Sequence, residues 1–233
     1  MTRFREVFTS RHVVFPVIHV ESGAQALRNA RIAHEAQADG VFLINHGMSY
    51  ERLLEIHRAV ADKFPDWWIG VNCLDLTPEE VFGRVSRSIS GVWTDNAHID
   101  EDAATQPAAA HIQAARHQAA WPGLYYGGVA FKYQRPVEDL ARAAAIGSQY
   151  MDVVTTSGPG TGEAAAPDKI RVMKQAIGEH PLAIASGITP ENVSDYLDSA
   201  DCFLVATGIS KSFEELDSAR TRLLVDLVRE RET

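Results

Sequence analysis

Residues 181–211 read PLAIASGITPENVSDYLDSADCFLVATGISK. Two short apolar runs, 181–188 and 202–208, each reach small polar residues and a glycine. Between them Thr189-Pro190-Glu191-Asn192 is a helix start: a Thr cap ahead of Pro at the first helical position. A run, a helix start and a second run make one strand–crossover–strand unit, in which the two strands lie parallel. The unit recurs upstream. Apolar, β-branched runs at residues 15–20, 41–46, 67–73, 91–96, 124–132 and 150–157 precede these two, with starts 21 to 33 residues apart. Helical periodicity fills the gaps at 24–38 (Ala26, Leu27, Ala30, Ala33, Ala36) and 50–63 (Leu53, Leu54, Ile56, Val60). Thr77-Pro78-Glu79-Glu80 repeats the cap-then-proline signal. Eight strand–helix units in about 220 residues predict a single (β/α)8 TIM barrel. An open doubly wound sheet is the competing architecture, but the first turn, Val20-Glu21-Ser22-Gly23-Ala24, lacks its GxGxxG fingerprint. The Ala-rich fourth connection, 97–121, carries the weakest pattern.

Composition narrows the class. The chain has 233 residues, 45% of them hydrophobic, and 22 Lys+Arg against 31 Asp+Glu give a net charge of −9. Residues 1–233 read as one domain, with 1–14 as a lead-in segment ahead of the first strand. No basic cluster interrupts the acidic balance, so nucleic acid is not an expected partner. An anionic small ligand still fits, because backbone amides at helix starts hold phosphate without a basic surface. No apolar run reaches the roughly 18–20 residues of a membrane span. Cys73 and Cys202 sit in apolar runs without metal or CxxC spacing, which suits a reducing, cytoplasmic setting. A homo-oligomer is the expectation from the prevalence of symmetric assemblies.

In such a barrel the C-terminal strand ends carry the chemistry. The pattern places there His19 and Glu21, Asn45 and His46, Asn72 and Asp75, Asp95 and Asn96, Lys132 and Tyr133, Thr155, Thr156 and Ser157, Ser186, then Thr207, Ser210 and Lys211. The segments around Ser186-Gly187-Ile188 and Thr207-Gly208-Ile209 follow strands 7 and 8, where barrels with a phosphate site build it; glycine lets the backbone approach the oxyanion. Gly158-Pro159-Gly160-Thr161-Gly162 lacks the Lys of a P-loop and reads as a flap over the ligand. Lys132, placed at the end of an apolar strand, is the expected nucleophile, base or charge stabiliser; Asp95 is its expected partner. His19 is a candidate acid/base. His34, His57, His111, His117 and His180 read as surface residues. Trp67-Trp68 opens strand 3 and is expected to pack on a helix or a partner subunit. No cofactor motif and no His-rich metal spacing occur; Asp75 and Asp95 are the oxygen donors that could hold Mg²⁺.

With these residues in view, the chain from strand 1 onward resembles the BtpA/SgcQ family of TIM barrels. Val17-Ile18-His19, Ile69-Gly70-Val71-Asn72-Cys73-Leu74, Phe131-Lys132, Thr155-Thr156-Ser157 and Gly160-Thr161-Gly162 carry the resemblance, with Ser186-Gly187-Ile188-Thr189-Pro190-Glu191-Asn192 and Gly208-Ile209-Ser210-Lys211. It implies a ligand site with Asn45, Thr156, Ser157, Thr161 and Gly162, and phosphate contacts from the last two loops. The chain departs from the family pattern at the strand 1 loop, which lacks its prolines. It departs also at Ile44, at Asp75-Leu76 and at Tyr133, where acidic, Arg-Asn-Asp and His residues are expected. The expected function is binding of a small phosphorylated ligand, such as a sugar phosphate, by an aldolase, isomerase or epimerase using Lys132, Asp95, Asn72 and His19. Two alternatives stand beside it. One is a non-catalytic assembly factor, since the family is associated with photosystem I biogenesis. The other is a nucleoside- or phosphoribosyl-processing enzyme in which Asp75 and Asp95 position a ribose or Mg²⁺.

Overall fold

The computed structural model describes residues 1–230; the end of the expected domain, 231–233, lies outside the described residues. Eight parallel strands close a barrel in chain order. They are β1 (Val13–Val20), β2 (Gly40–Asn45), β3 (Trp68–Asn72), β4 (Gly91–Thr94), β5 (Leu124–Gly128), β6 (Val153–Thr156), β7 (Leu182–Ala185) and β8 (Cys202–Val205). Closure is made by β1 on β8, in register from Val13↔Cys202 to Pro16↔Val205. Around the barrel lie α2 (Gly23–Glu35), α3 (Tyr50–Lys63), the single turn α4 (Pro78–Val81), α5 (Pro107–Gln118), α6 (Leu140–Gly147), α7 (Pro167–Ile177) and α8 (Ser218–Glu230). Thr77 and Glu80 close a reciprocal capping box on α4. None of the helices among the described residues is long and apolar enough to cross a membrane.

Several expectations change. The lead-in holds a helix, α1 (Arg3–Val7), and β1 begins at Val13 rather than residue 15. Strand 5 stops at Gly128, not at residue 132, because a Cβ there would sit 1.8 Å from the Asp95 carbonyl oxygen and Ala130 then turns the chain at φ 49°. Strand 6 starts at Val153, not at residue 150. After β7 the Thr-Pro signal opens only a 3-10 turn, Val193–Asp195, since the Asn192 side chain is spent on Thr189 N (2.9 Å) and Gly187 O (2.8 Å). His57 is buried, its Nε2 3.3 Å from the Ile69 carbonyl, because its helix face packs on the sheet.

Two apolar layers result. One lies between strands and helices; the other fills the barrel with Phe15, Phe42, Trp68, Trp93, Tyr126 and Leu204. Phe4 and Phe8 of the lead-in plug the N-terminal end of that interior. Trp67 packs on Phe64 and donates to Ala38 O (3.0 Å), whereas Trp68 enters the barrel and stacks on Phe15 with ring centroids 4.5 Å apart. Its ring needs the space that Gly91 leaves, for a Cβ there would meet the indole at 2.3 Å. Gly91→Val is therefore expected to cost about 1–3 kcal/mol through overpacking, read as a thermal midpoint several degrees lower. An unchanged midpoint would show that the Trp68 ring is free to move.

Beneath the barrel three aspartates precede strands and each takes an N–H from the strand before: Asp39 from Val14 (2.8 Å), Asp152 from Tyr125 (2.8 Å), Asp201 from Leu182 (2.9 Å). Each also meets cations: Asp39 Arg229, Asp152 Arg116 and Arg3, Asp201 Arg5 and Lys174. These pairs fasten the ladder at the end opposite the strand C-termini.

Candidate functional site

At the C-terminal strand ends lies a cavity of about 180 Å³. Its floor is apolar, from Val17, Ile44, Trp93, Leu204 and Ala206. Around it stand His19 near the end of β1, His46 just after β2, Asp95 just after β4, Lys132 and Tyr133 beyond β5, Thr161 and Gly162 beyond β6, Ser186 after β7 and Thr207 after β8. Polar groups from seven of the eight strands are thus drawn into one space by parallel topology, which points every strand end the same way.

The β6–β8 side is built largely from backbone. Ser186 is held in the left-handed region at φ 89°, a strained conformation for a residue with a Cβ. Its hydroxyl donates to Gly160 O (3.0 Å) and accepts from Gly162 N (2.9 Å), so the glycine-rich loop expected to be a flap is tied to the β7 loop. Gly187 is fixed by proximity as well, for a Cβ there would lie 2.2 Å from Glu163 O. A 3-10 turn, Thr207–Ile209, follows β8 in the place where phosphate-binding barrels set a short extra helix. Arg220 of α8 clamps the two loops. It reaches Glu191 with two hydrogen bonds (2.9 and 2.8 Å) and Gly208 O with a third (3.0 Å). The guanidinium holds the Glu191 carboxyl down at about 2.

On the β1–β5 side the groups are ionisable. Asp95 accepts from Asn72 Nδ2 (2.9 Å), and burial pushes its carboxyl above the ordinary range. Lys132 does not stand at a strand end: it lies in the turn after β5, with Nζ 3.3 Å from Thr161 Oγ1, and it forms no ion pair with Asp95 among the described residues. His19 is driven down to about 4 by burial, with the charges of His46 and Lys132 adding to the effect. Its Nδ1 is buried without a hydrogen-bond partner. At neutral pH it is an uncharged imidazole, suited to accepting or relaying a proton rather than to electrostatic pairing. The His46 imidazole is also lowered, chiefly by desolvation, and its ring centroid lies 4.9 Å from that of His19.

The depressed His19 has a measurable consequence. Between about pH 6.5 and 4 the unfolded chain binds this proton while the folded one does not, so stability present above 6.5 falls as pH drops to 4. The shift corresponds to at most about 3 kcal/mol, reduced by the partial exposure of the ring. Urea midpoints of wild type and His19→Gln should therefore diverge across that window, with the variant losing less on acidification. Parallel curves would mean that His19 titrates normally.

Some expected site residues stand elsewhere. Asn45 is buried and spent on Met48 O (2.8 Å), Asp75 Oδ1 (2.7 Å) and Leu74 N (2.8 Å), joining the loops after β2 and β3. Asn72 stays behind Asp95. Thr156 donates to Ala130 O (3.1 Å), and Ser157 accepts from Lys132 N (2.7 Å); both are fully buried supports of the Lys132 turn. Gly187, Ile188, Gly208 and Ile209 shape the phosphate-type loops without lining the cavity. Asp75, the other expected oxygen donor, accepts from Asn45 Nδ2 and, through its second oxygen, from Tyr50 N (2.9 Å). Asp100, Glu101 and Asp102 form the one group of three such donors among the described residues, away from the cavity, and Arg135 already pairs with it.

Lys169, on α7, was not anticipated. Its ammonium donates to Ala130 O (2.6 Å) and Ser157 O (2.7 Å), and burial lowers it to about 8. It braces the same turn as Ser157. The signal was its position four residues before buried Met173, on the apolar face of α7. Phe213, in the loop before α8, is another. Its ring lies 3.9 Å from His19 and 5.2 Å from His46.

Comparison with known proteins agrees on the fold. Phosphoribosyl anthranilate isomerase from Thermus thermophilus superposes with a TM-score of 0.68 at 18% identity, covering 94% of this chain and 99% of that one. (S)-3-O-geranylgeranylglyceryl phosphate synthase from Thermoplasma acidophilum, solved with its substrate sn-glycerol-1-phosphate, gives 0.68 at 15%, covering 99% of each chain. A 4-hydroxy-2-oxoglutarate/phosphogluconate-type aldolase gives 0.64 at 16%, covering 96% and 97%. A search of curated proteins found no significant match. The BtpA family model matches residues 129–230. From the end of β5 to the end of α8, this (β/α)8 barrel carries the sequence pattern of the BtpA family.

Proposed function

We propose that the barrel is an isomerase- or lyase-type enzyme acting on a small phosphorylated ligand at this mouth. One observation carries the reading: Lys132, Asp95 and His19 share a single cavity with Thr161, Gly162, Ser186 and Thr207 of the β6, β7 and β8 loops. On this reading the phosphate lies on the side of Ser186 and Thr207, in loops that Arg220 clamps, and the Lys132 ammonium supplies the opposing charge. The rest of the ligand extends over the apolar floor toward Asp95 and His19.

Asp95 has the features of a proton-transfer group, a carboxyl raised by burial and oriented by Asn72. Abstraction of a proton beside a carbonyl would leave an oxyanion, which Lys132 can stabilise from across the cavity. The turn that holds Lys132 is braced by Ser157, Thr156 and Lys169, which favours this fixed charge over a freely swinging Schiff-base amine. One structural neighbour was solved with sn-glycerol-1-phosphate, a small phosphorylated ligand of the class proposed here.

Thermal unfolding with inorganic phosphate, sulfate, sugar phosphates and nucleotides tests the reading. A ligand at 100 times its Kd should stabilise by about 2.7 kcal/mol. A selective response to one phosphorylated compound supports it. A folded sample unresponsive to every phosphate overturns it, and an assembly partner then becomes the better account.

A further inference from the structure

Of the seven exposed large apolar side chains among the described residues, three rim this one cavity: Leu74, Tyr133 and Phe213. Exposed apolar groups gathered at one place mark a binding surface, whereas scattered ones do not. Phe213 is also held in place. The buried side chains of Gln25 and Asn29 on α2 both donate to Glu214 O, at 2.5 Å each, and Asn29 accepts from Leu216 N (3.1 Å). That anchoring sets the Phe213 ring against His19 and His46 while leaving it 45% exposed. The two poles of the mouth therefore differ in kind. Thr161, Ser186 and Thr207 stand on the β6–β8 side, where the Tyr133 hydroxyl lies 3.2 Å from Thr161 Oγ1; Phe213, the His19–His46 pair and Leu74 stand over the β1–β3 side.

Building on the phosphate reading above, we infer that the ligand carries an aromatic group at the end away from its phosphate, packed against Phe213 and the His19–His46 pair. A bare sugar phosphate is then an incomplete ligand. The cavity, about 180 Å³, has room for one ring, since an apolar cavity of roughly 150 Å³ already admits benzene. Aromatic contacts supply orientation as well as apolar burial, which a flexible polyol could not draw from these side chains.

Calorimetric titration with phenyl phosphate and glycerol phosphate separates the two readings. Phenyl phosphate is expected to bind about tenfold more tightly. Phe213→Ala should remove that preference and leave glycerol phosphate unchanged. Phe213 and Leu74 are both substantially exposed, so their truncation should leave the fold intact. Equal affinities in the wild type, or a preference that survives both Phe213→Ala and Leu74→Ala, would overturn the aromatic pole and leave the phosphate reading standing. Binding of neither compound would remove the phosphate site, and this inference with it.

Discussion

Replacing Lys132 by alanine is expected to weaken binding of a phosphorylated ligand by about 10- to 100-fold while leaving thermal stability nearly unchanged. The first half follows from charge: a hydrogen bond to a charged group contributes about 1.5–3 kcal/mol, and each 1.4 kcal/mol is a factor of ten in Kd. The second follows from place. The side chain is half-buried in a turn, and its one side-chain hydrogen bond, to Thr161 Oγ1, is long at 3.3 Å. The turn itself is held by main-chain and neighbouring groups, namely Lys132 N on Ser157 and Lys169 on Ala130 and Ser157. Lys132→Arg should recover part of the affinity, since it keeps the charge at a different reach. Titration of the three proteins with the compound selected by the thermal screen measures the effect. An alanine variant with wild-type affinity and turnover would remove Lys132 from the site.

Asp152→Ala is expected to be the most destabilising single change, at about 3–5 kcal/mol. For a chain of this length that is roughly 6–20 °C in Tm. Asp152 is nearly buried and takes three partners: Arg116 at 2.5 Å, Arg3 at 3.2 Å and the Tyr125 N–H at 2.8 Å. Arg116 is equally enclosed, and burial lowers its guanidinium against the pull of Asp152. Removing the carboxylate leaves a desolvated cation and a strand N–H unmet. Asp152→Asn retains an acceptor oxygen and should lose less. Urea unfolding of both variants reads the difference, and an alanine variant within 1 kcal/mol of wild type would show that water replaces the carboxylate.

How far the sequence exposes this arrangement depends on what each residue answers to. The barrel is legible because apolar runs and helix caps are local signals, and β2, β3, β4, β7 and β8 all fall inside or within one residue of the runs that announce them. The mouth is legible as a set, because parallel strands send their ends to one side. Individual placements are harder. Lys132 follows a long apolar run, yet a close approach of Gly128 to Asp95 ends the strand early, and nothing within residues 124–132 reveals a neighbour 33 positions upstream. Asn45 and Asp75 look alike as donors until each is found using the other. Phe213 lies in a segment without periodicity, and its position depends on Gln25 and Asn29, nearly two hundred residues earlier.

The pairing of β1 with β8 also sets a condition on synthesis. Val13–Pro16 meet Cys202–Val205, so 189 residues separate the first partners of the closing seam. At ribosomal rates of about 5–20 residues per second, the first strand waits on the order of ten to forty seconds for its second neighbour. During that time its outer edge can recruit other extended chains. Phe4 and Phe8 share its predicament, because the interior that they plug is incomplete until the last strand emerges.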